Sequence, residues 1–205
     1  MLVTLTELLD AAEKGGYAVP AFNVYNMETV MGVIDAAQVH RSPVILQCYS
    51  RLFTNREAYF LAPIILAAAR QVTVPICFHL GHGAGYSEIA KALRYGCTSV
   101  MIDASAFPLE KNIAITESVC KVCRCLSVPV EGELGHVGLT TDEIMDDFTK
   151  IDEAVEFVNK TGVSALAVLV GTAHGRYRKA PRLDIKRIRE IKKAVNIPLV
   201  LHGGS

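Results

Sequence analysis

The chain has no net charge, no long apolar run and no cluster of basic residues, and each absence excludes a class of function. Its 21 basic and 21 acidic residues balance to a formal charge of zero. Without clustered Lys/Arg and interleaved aromatic residues there is no sign of a nucleic-acid-binding surface. The longest uncharged apolar run, residues 61–69, is far shorter than the roughly 20 residues that a membrane helix needs. We therefore expect no nucleic-acid partner and no membrane span.

The N-terminus and the cysteines predict a cytoplasmic protein. No basic segment precedes an apolar stretch at the start, as a signal peptide would require. Cys48 and Cys77 lie in apolar, strand-like runs, where reduced cysteines act as small hydrophobic residues. The spacing of Cys120, Cys123 and Cys125 suits thiolate ligation of a metal. No second Cys/His pair lies near them in the sequence, so we favour a helix end over a metal site.

Short apolar runs rich in β-branched residues alternate with longer amphipathic stretches. This alternation is typical of βαβ units around a parallel sheet. Seven runs are predicted to be strands: 19–24, 43–48, 75–80, 98–103, 129–134, 165–170 and 198–202. No linker or low-complexity tract interrupts them, so residues 1–205 are predicted to be one α/β domain.

Two of the predicted helices have recognisable ends. One covers residues 87–95, with Ser87 as its N-cap and Gly96 just beyond its last turn. The other covers residues 152–160, with Asp152 as its cap and a glycine, Gly162, soon after its end.

The positions of the polar residues favour an α/β barrel over an open sheet. No G-x-G-x-x-G follows the first strand, as a dinucleotide-binding open sheet would predict. In a TIM-type barrel the C-terminal strand ends converge on one mouth. Eight residues lie at or just beyond such ends: Asn23, His79, His82, Asp103, Glu131, Glu133, His174 and His202. The chain is nevertheless short, because a complete eight-stranded barrel typically needs about 250 residues.

Three histidines follow different predicted strands, and together they suggest a metal site. His82, His174 and His202 follow the third, sixth and seventh strands. Three protein ligands with one open position is the pattern of catalytic zinc. A single histidine of this kind is more often a hydrogen-bonded core or loop residue, but three at equivalent positions favour the metal.

Seven motifs in order give the chain its resemblance to a known family. They lie at residues 20–23, 79–83, 98–103, 130–135, 161–168, 171–175 and 198–205, and include Glu-Gly-Glu-Leu-Gly, Gly-Thr-Ala-His-Gly and Leu-His-Gly-Gly-Ser. The whole chain resembles the class II, zinc-dependent fructose-/tagatose-bisphosphate aldolases. The resemblance implies a TIM-type (β/α)8 barrel, here without the eighth strand and closing helices. It also implies a lyase of carbohydrate metabolism that acts on a phosphorylated ketose.

The resemblance also implies roles for individual residues. His82, His174 and His202 match the zinc ligands, and Glu133 matches a carboxylate kept at the metal site. Matches to the substrate- and phosphate-binding positions are Asn23, Gly175, Gly203, Gly204 and Ser205. The glycines would let backbone N–H groups approach an anion closely, although turn geometry after a strand also explains them.

The sequence departs from the family pattern at three places. Gly81 stands where the family has its proton-transferring aspartate. The loop after Gly138 is shortened, so the role of a second catalytic acid there is uncertain, and Asp142 and Glu143 are its nearby carboxylates. The end of the chain would leave the outer edges of strands one and seven unpaired, which predicts a homo-oligomer or another covering chain. A fragment, an incompletely recorded sequence and a naturally reduced relative all remain open.

The sequence therefore supports two candidate functions. The first is a zinc-dependent aldolase that cleaves a ketose bisphosphate to dihydroxyacetone phosphate and an aldehyde. The second is a catalytically impaired relative that binds zinc and a phospho-sugar or serves as a non-catalytic subunit, which Gly81 favours. An open sheet that binds a nucleotide has little support from motifs.

Overall fold

The computed structural model describes residues 1–135, 148–175, 177 and 180–203. The chain divides into two compact units. The first unit contains Met1–Ile102 with Val122–Val130, and the second contains Asp103–Lys121 with Glu131–Ser205. The prediction of a single domain over residues 1–205 stays a prediction.

All seven predicted strands are present within the described residues. Their bounds are β1 Ala21–Asn23, β2 Val44–Tyr49, β3 Ile76–Gly83, β4 Ser99–Ile102, β5 Val130–Leu134, β6 Ala165–Val168 and β7 Leu199–Val200. Strand order follows the chain, with β1 to β4 adjacent in the first unit and β5 to β7 adjacent along the second. The pairs that lie within a unit are parallel.

At least one helix lies between every two consecutive strands of the described residues. Their bounds are α1 Leu5–Gly15, α2 Met27–His40, α3 Ser50–Thr54, α4 Glu57–Arg70, α5 Tyr86–Tyr95, α6 Leu109–Arg124, α7 Ile151–Thr161 and α8 Ile185–Val195. None of the helices in the described ranges is long and apolar enough to cross a membrane.

Each unit buries large side chains between its strands and helices. In the first unit Leu46, Phe78 and Ile65 are fully buried, from β2, β3 and α4 respectively. In the second unit Phe157 and Ile191 bring α7 and α8 into the core. Such packing needs apolar residues on both faces of the parallel strands, which explains their continuous hydrophobic runs in the sequence.

The predicted helix stops are confirmed, but the two predicted N-caps are wrong. Gly96 and Gly162 end α5 and α7 in the left-handed conformation, with φ of 89° and 67°. Helix α5 instead begins after Gly85, so Ser87 lies inside its first turn. Helix α7 begins after Lys150, which places Asp152 in the first turn. There its negative charge still favours the positive end of the helix dipole.

The six cysteines all lie within the described residues and form no disulfide bond there. Cys48 and Cys77 are fully buried on β2 and β3. Burial raises the pKa of the Cys48 thiol to about 12, so it remains protonated at neutral pH. Cys120 and Cys123 lie in the last turns of α6, and Cys125 follows its end. This is the predicted helix-end position.

Candidate functional site

The second unit buries a histidine against a carboxylate. His202 follows β7 and is 9% exposed, and its Nε2 lies 2.8 Å from Oε1 of Glu131 on β5. Burial lowers the pKa of His202, but the hydrogen bond to Glu131 raises it. The charges of Glu131, Glu133 and Asp103 also raise this pKa, which therefore lies above the usual histidine value. The ring thus sits in a negative field that would also attract a cation.

A second histidine packs beside this ring. His174 lies in the loop after β6, half-buried, and its ring centroid is 5.9 Å from that of His202. The two ring planes meet at 78°. The second unit therefore brings together two of the three histidines that the sequence predicted as ligands.

A hydrogen-bonded network holds the carboxylates at the ends of β4 and β5. Ser105 Oγ lies 2.7 Å from Asp103 Oδ1 and 3.1 Å from Glu133 Oε1. Both carboxylates are therefore within hydrogen-bond distance of the same hydroxyl group. Asn112 Nδ2 donates to the backbone oxygen of Glu133 at 2.9 Å. Thr116 Oγ1 in turn donates to Asn112 Oδ1 at 3.1 Å. Because Glu133 is only 1% exposed, these contacts fix a buried acid at the predicted position.

Tyr177 forms hydrogen bonds with both glycine-rich segments of the second unit, residues 171–175 and 198–203. Ala173 N donates to the Tyr177 hydroxyl at 2.7 Å, and this hydroxyl donates to Gly203 O at 2.7 Å. Gly203 has φ of 77°, and a Cβ there would collide with the Ala173 backbone oxygen. Only glycine permits this close crossing of the chain. Gly175, with φ of 95°, lies in the same region.

Tyr177→Phe should lower the free energy of unfolding by about 1–2 kcal/mol, because it leaves a backbone N–H and a C=O without their shared partner. Urea denaturation of the purified chain measures this loss. Tyr17→Phe is the matched control, because Tyr17 is 46% exposed in the other unit. Equal losses in both variants would contradict the bridging role of Tyr177.

In the first unit, a β-bulge directs His82. Leu80 pairs with Val100 and Gly83 pairs with Ile102, so β3 takes three steps where β4 takes two. The extra residue places His82 at φ of 48°, a conformation that is uncommon outside glycine. Bulges of this kind re-aim side chains beside functional sites. The His82 ring lies edge-on to Tyr49, with 6.1 Å between ring centroids.

Of the remaining predicted positions, two lie on strands of the first unit and the others lie outside the described residues. Gly81 is buried on β3, and Asn23 is exposed on β1, where its Oδ1 accepts a hydrogen bond from Gln47 Nε2 at 3.2 Å. The predicted phosphate-binding Gly204 and Ser205 lie outside the described residues, as do Asp142 and Glu143 of the altered loop.

Comparison with known proteins decides the family. The family model of class II fructose-bisphosphate aldolase matches residues 3–205. The chain belongs to the class II fructose-bisphosphate aldolase family. This confirms the resemblance identified from the sequence motifs.

Solved structures of two aldolases have the same fold. The YdjI aldolase from Escherichia coli K12 is 37% identical, with a TM-score of 0.91 over 100% of this chain and 74% of that one. A fructose-bisphosphate aldolase from Campylobacter jejuni is 24% identical, with a TM-score of 0.82 over 100% of this chain and 70% of that one, and shows the fold alone. The predicted TIM-type α/β fold with seven parallel strands is therefore confirmed.

The class II aldolase family is zinc-dependent, and the donor groups of the second unit suit a zinc ion. Two imidazoles lie side by side, and three carboxylates contribute negative charge around His202. Nitrogen and carboxylate oxygen are both ordinary ligands of zinc. The chemistry of this donor set therefore fits a divalent cation.

Sequence reasoning missed the residues that support the predicted site. Ser105 could have been found, because a serine two residues after Asp103 is a common turn pattern at a strand end. Asn112 and Thr116 form an i, i+4 polar pair in a helix, which was a second available signal. The contacts of Tyr177 with Gly203 and of Gln47 with Asn23 carried no such signal, since these residues are 26 and 24 positions apart.

Proposed function

We propose that the chain is a zinc-dependent class II aldolase that cleaves a ketose 1,6-bisphosphate, such as the fructose or tagatose compound, to dihydroxyacetone phosphate and an aldehyde. The observation that carries this proposal is the buried His202, hydrogen-bonded to Glu131 and packed beside His174. Family membership supports the reaction class.

In this proposal His174 and His202 act as zinc ligands, and His82 is the third. His174 and His202 come from the second unit, and we assign His82 of the first unit from the family motif. When bound, zinc supplies Lewis-acid polarisation of the ketose carbonyl and stabilises the enediolate. Glu131 orients the His202 ring through Nε2, so that coordination would use Nδ1.

The two glycine-rich segments would bind phosphate. Gly175 and Gly203 have positive φ values, which let consecutive N–H groups turn toward an anion. Tyr177 holds the backbone of the two segments in register through Ala173 and Gly203. We extend this role to Gly204 and Ser205 from the family motif, and assign Asn23 to a substrate hydroxyl.

Cleavage requires two proton transfers. A base removes the proton of the C4 hydroxyl, the O–H electron pair forms the aldehyde C=O, and the C3–C4 pair moves to C3. The resulting enediolate then takes a proton at C3 and becomes dihydroxyacetone phosphate. Gly81 can supply neither proton transfer, and a missing positioned acid or base typically costs about 10²–10⁴-fold in rate. We therefore expect slow cleavage, and we assign the remaining acid–base role to Glu133, a buried acid of the second unit.

Gly81 also favours the second candidate, a relative that binds zinc and a phospho-sugar without efficient turnover or acts as a non-catalytic subunit. Every proposed binding group is kept in this alternative. It differs from the first only in the absence of measurable cleavage.

Two measurements on the purified full chain test the proposal. Elemental analysis should find about one zinc ion per protein chain, as expected for one catalytic site with three protein ligands. A coupled assay for dihydroxyacetone phosphate should detect release from fructose or tagatose 1,6-bisphosphate that stops on chelation. Zinc and inorganic phosphate binding with no release would favour the non-catalytic relative. Failure to bind zinc would contradict the aldolase and the zinc-binding relative, and would leave only a non-catalytic subunit.

Glu131→Gln should weaken zinc binding by about 10- to 100-fold, because it removes the charge that orients a ligand histidine. Competition with a chromogenic chelator measures the zinc affinity. Glu153→Gln is the matched control, because Glu153 lies in the first turn of α7 and pairs with Lys150 rather than with a histidine. An unchanged zinc affinity in Glu131→Gln would show that Glu131 does not contribute to zinc binding.

We also propose a homo-oligomer. All three residues of β1 are exposed, including Phe22 at 47%. An exposed strand edge with an apolar side chain is a surface that another chain can cover. Light scattering of the purified chain gives the mass, and a monomer at all concentrations would contradict this proposal.

A further inference from the structure

His82 has a backbone conformation that needs support from its neighbours. Its φ of 48° lies in the left-handed region, which costs free energy for every residue except glycine. Such a conformation persists only where the surrounding structure enforces it. The contacts of His82 within the first unit therefore indicate what fixes its side chain.

The backbone of His82 is held from β4. The bulge places Gly81 and His82 opposite the single residue Met101, which is fully buried. A bulge interrupts the regular ladder of the sheet, and the N–H of His82 donates to Met101 Sδ at 3.3 Å. A thioether sulfur is only a weak acceptor. This bond fixes the backbone weakly and does not fix the direction of the ring.

The ring of His82 is held from β2. Tyr49 pairs with Gly81, so in a regular strand His82 would project from the face opposite to Tyr49. The bulge turns His82 back, and the two rings meet edge-on, with 6.1 Å between centroids and 64° between planes. Aromatic rings at this separation favour edge-to-face contact. The bulge and the Tyr49 ring together therefore determine where the imidazole points.

We propose that Tyr49 is a positioning residue that fixes the His82 imidazole through this ring contact. Its role parallels that of Glu131, which orients His202 by a hydrogen bond, as outer-shell partners of metal-binding histidines do. The consequence for zinc rests on the proposed function, because it takes His82 as a ligand. The orientation of the ring does not depend on it.

The ring contact is tested on the metal-free chain by NMR. The ring-proton signals of His82 are assigned by their loss in His82→Asn, since asparagine tolerates the left-handed backbone. These signals should shift in Tyr49→Leu and stay in place in Tyr49→Phe, which keeps the aromatic ring. Tyr49 is 43% exposed, so neither variant leaves a cavity in the core. Unshifted signals in Tyr49→Leu would overturn the proposal.

A double-mutant cycle on stability tests the same contact independently. Tyr49→Leu should lower the thermal unfolding midpoint of the metal-free chain by about 2 °C, because it removes one aromatic pair. In the His82→Asn background the same change should cost less than half as much, because the partner ring is gone. Equal losses in both backgrounds would overturn the proposal.

Zinc affinity, measured by competition with a chromogenic chelator, tests the positioning role. Tyr49→Leu should weaken zinc binding by about tenfold, the lower end of the range for losing an outer-shell partner. Tyr49→Phe should bind zinc as the unchanged chain does. Equal zinc affinities of the Leu and Phe variants would overturn the positioning role.

Tyr59→Leu is the matched control for the loss of a tyrosine ring. Tyr59 on α4 makes edge-on contacts of the same kind with Phe60 and Tyr95. Its replacement should leave the zinc affinity unchanged. An equal loss of zinc affinity in Tyr59→Leu and Tyr49→Leu would show a general effect of ring removal and would overturn the proposal.

The metal-free and zinc measurements separate this inference from the proposed function. If the unchanged chain bound no zinc, the proposed zinc-dependent function would fail, and the NMR signals and the stability cycle would still decide whether Tyr49 holds His82. Intact zinc binding with unshifted His82 signals in Tyr49→Leu would defeat the Tyr49 inference alone.

Discussion

Gly81→Asp should accelerate release of dihydroxyacetone phosphate by about 100-fold, the lower part of the range expected for a positioned general acid or base. The change restores a carboxylate next to His82, the position that the family uses for proton transfer. The gain is kept to the lower part of the range because the new side chain must displace Gln47, whose atoms come within 2.6 Å of its Cβ. Initial rates in the coupled assay with both ketose bisphosphates measure the effect.

Gly81→Asn is the control that isolates the proton. Asparagine has nearly the shape of aspartate and meets the same Gln47 atoms, but it cannot act as a general base. A gain in the aspartate variant alone would support proton transfer at this position. Equal gains in both variants would show that filling the space, and not acid–base chemistry, limits the reaction.

His174→Ala and His202→Gln should each weaken zinc binding by at least about 100-fold, more than the loss of an orienting partner causes. Glutamine is chosen at position 202 because its amide can still donate to the buried Glu131, which alanine would leave without this contact. A zinc ion that binds only the folded chain would raise its stability by about 2.7 kcal/mol at 100 times the dissociation constant. The zinc-dependent rise of the unfolding midpoint should therefore disappear in both variants.

His40→Ala is the matched control for the two histidine variants. His40 ends α2 and is exposed, so its replacement removes an imidazole without touching the proposed site. Its zinc affinity and zinc-dependent stabilisation should equal those of the unchanged chain. If either site variant kept full zinc affinity, that histidine would not be a ligand.

The strands were predictable because their signals are local. Each predicted run overlaps an observed strand, and the glycines Gly96 and Gly162 end helices as expected. The N-caps were not predictable in the same way. Ser87 and Asp152 are good capping residues by type, but α5 and α7 each begin earlier, after Gly85 and Lys150. Capping preference is worth only about 1 kcal/mol, so packing of the whole helix decides where it starts.

In the candidate site, too, local signals were predictable from the sequence and long-range contacts were not. The positions of His174 and His202 after consecutive strands indicated that they would lie near each other, and their rings are neighbours. The hydrogen bond from His202 to Glu131 joins residues that are 71 positions apart. No spacing rule connects them, because their distance depends on how β5, β6 and β7 are placed in register.

The amino-acid sequence alone determined the parallel α/β class and the family, and it identified candidate site residues, because these depend on periodicity and on motifs within a few residues of one another. Only the tertiary structure decided how those residues are held: the bulge that turns His82, the tyrosine that bridges two loops, and the glutamine that fills the space above Gly81. The physical reason is that these contacts join side chains from different strands and loops. Sheet register and close packing set the distances between these side chains, and no single segment of the sequence determines either of them.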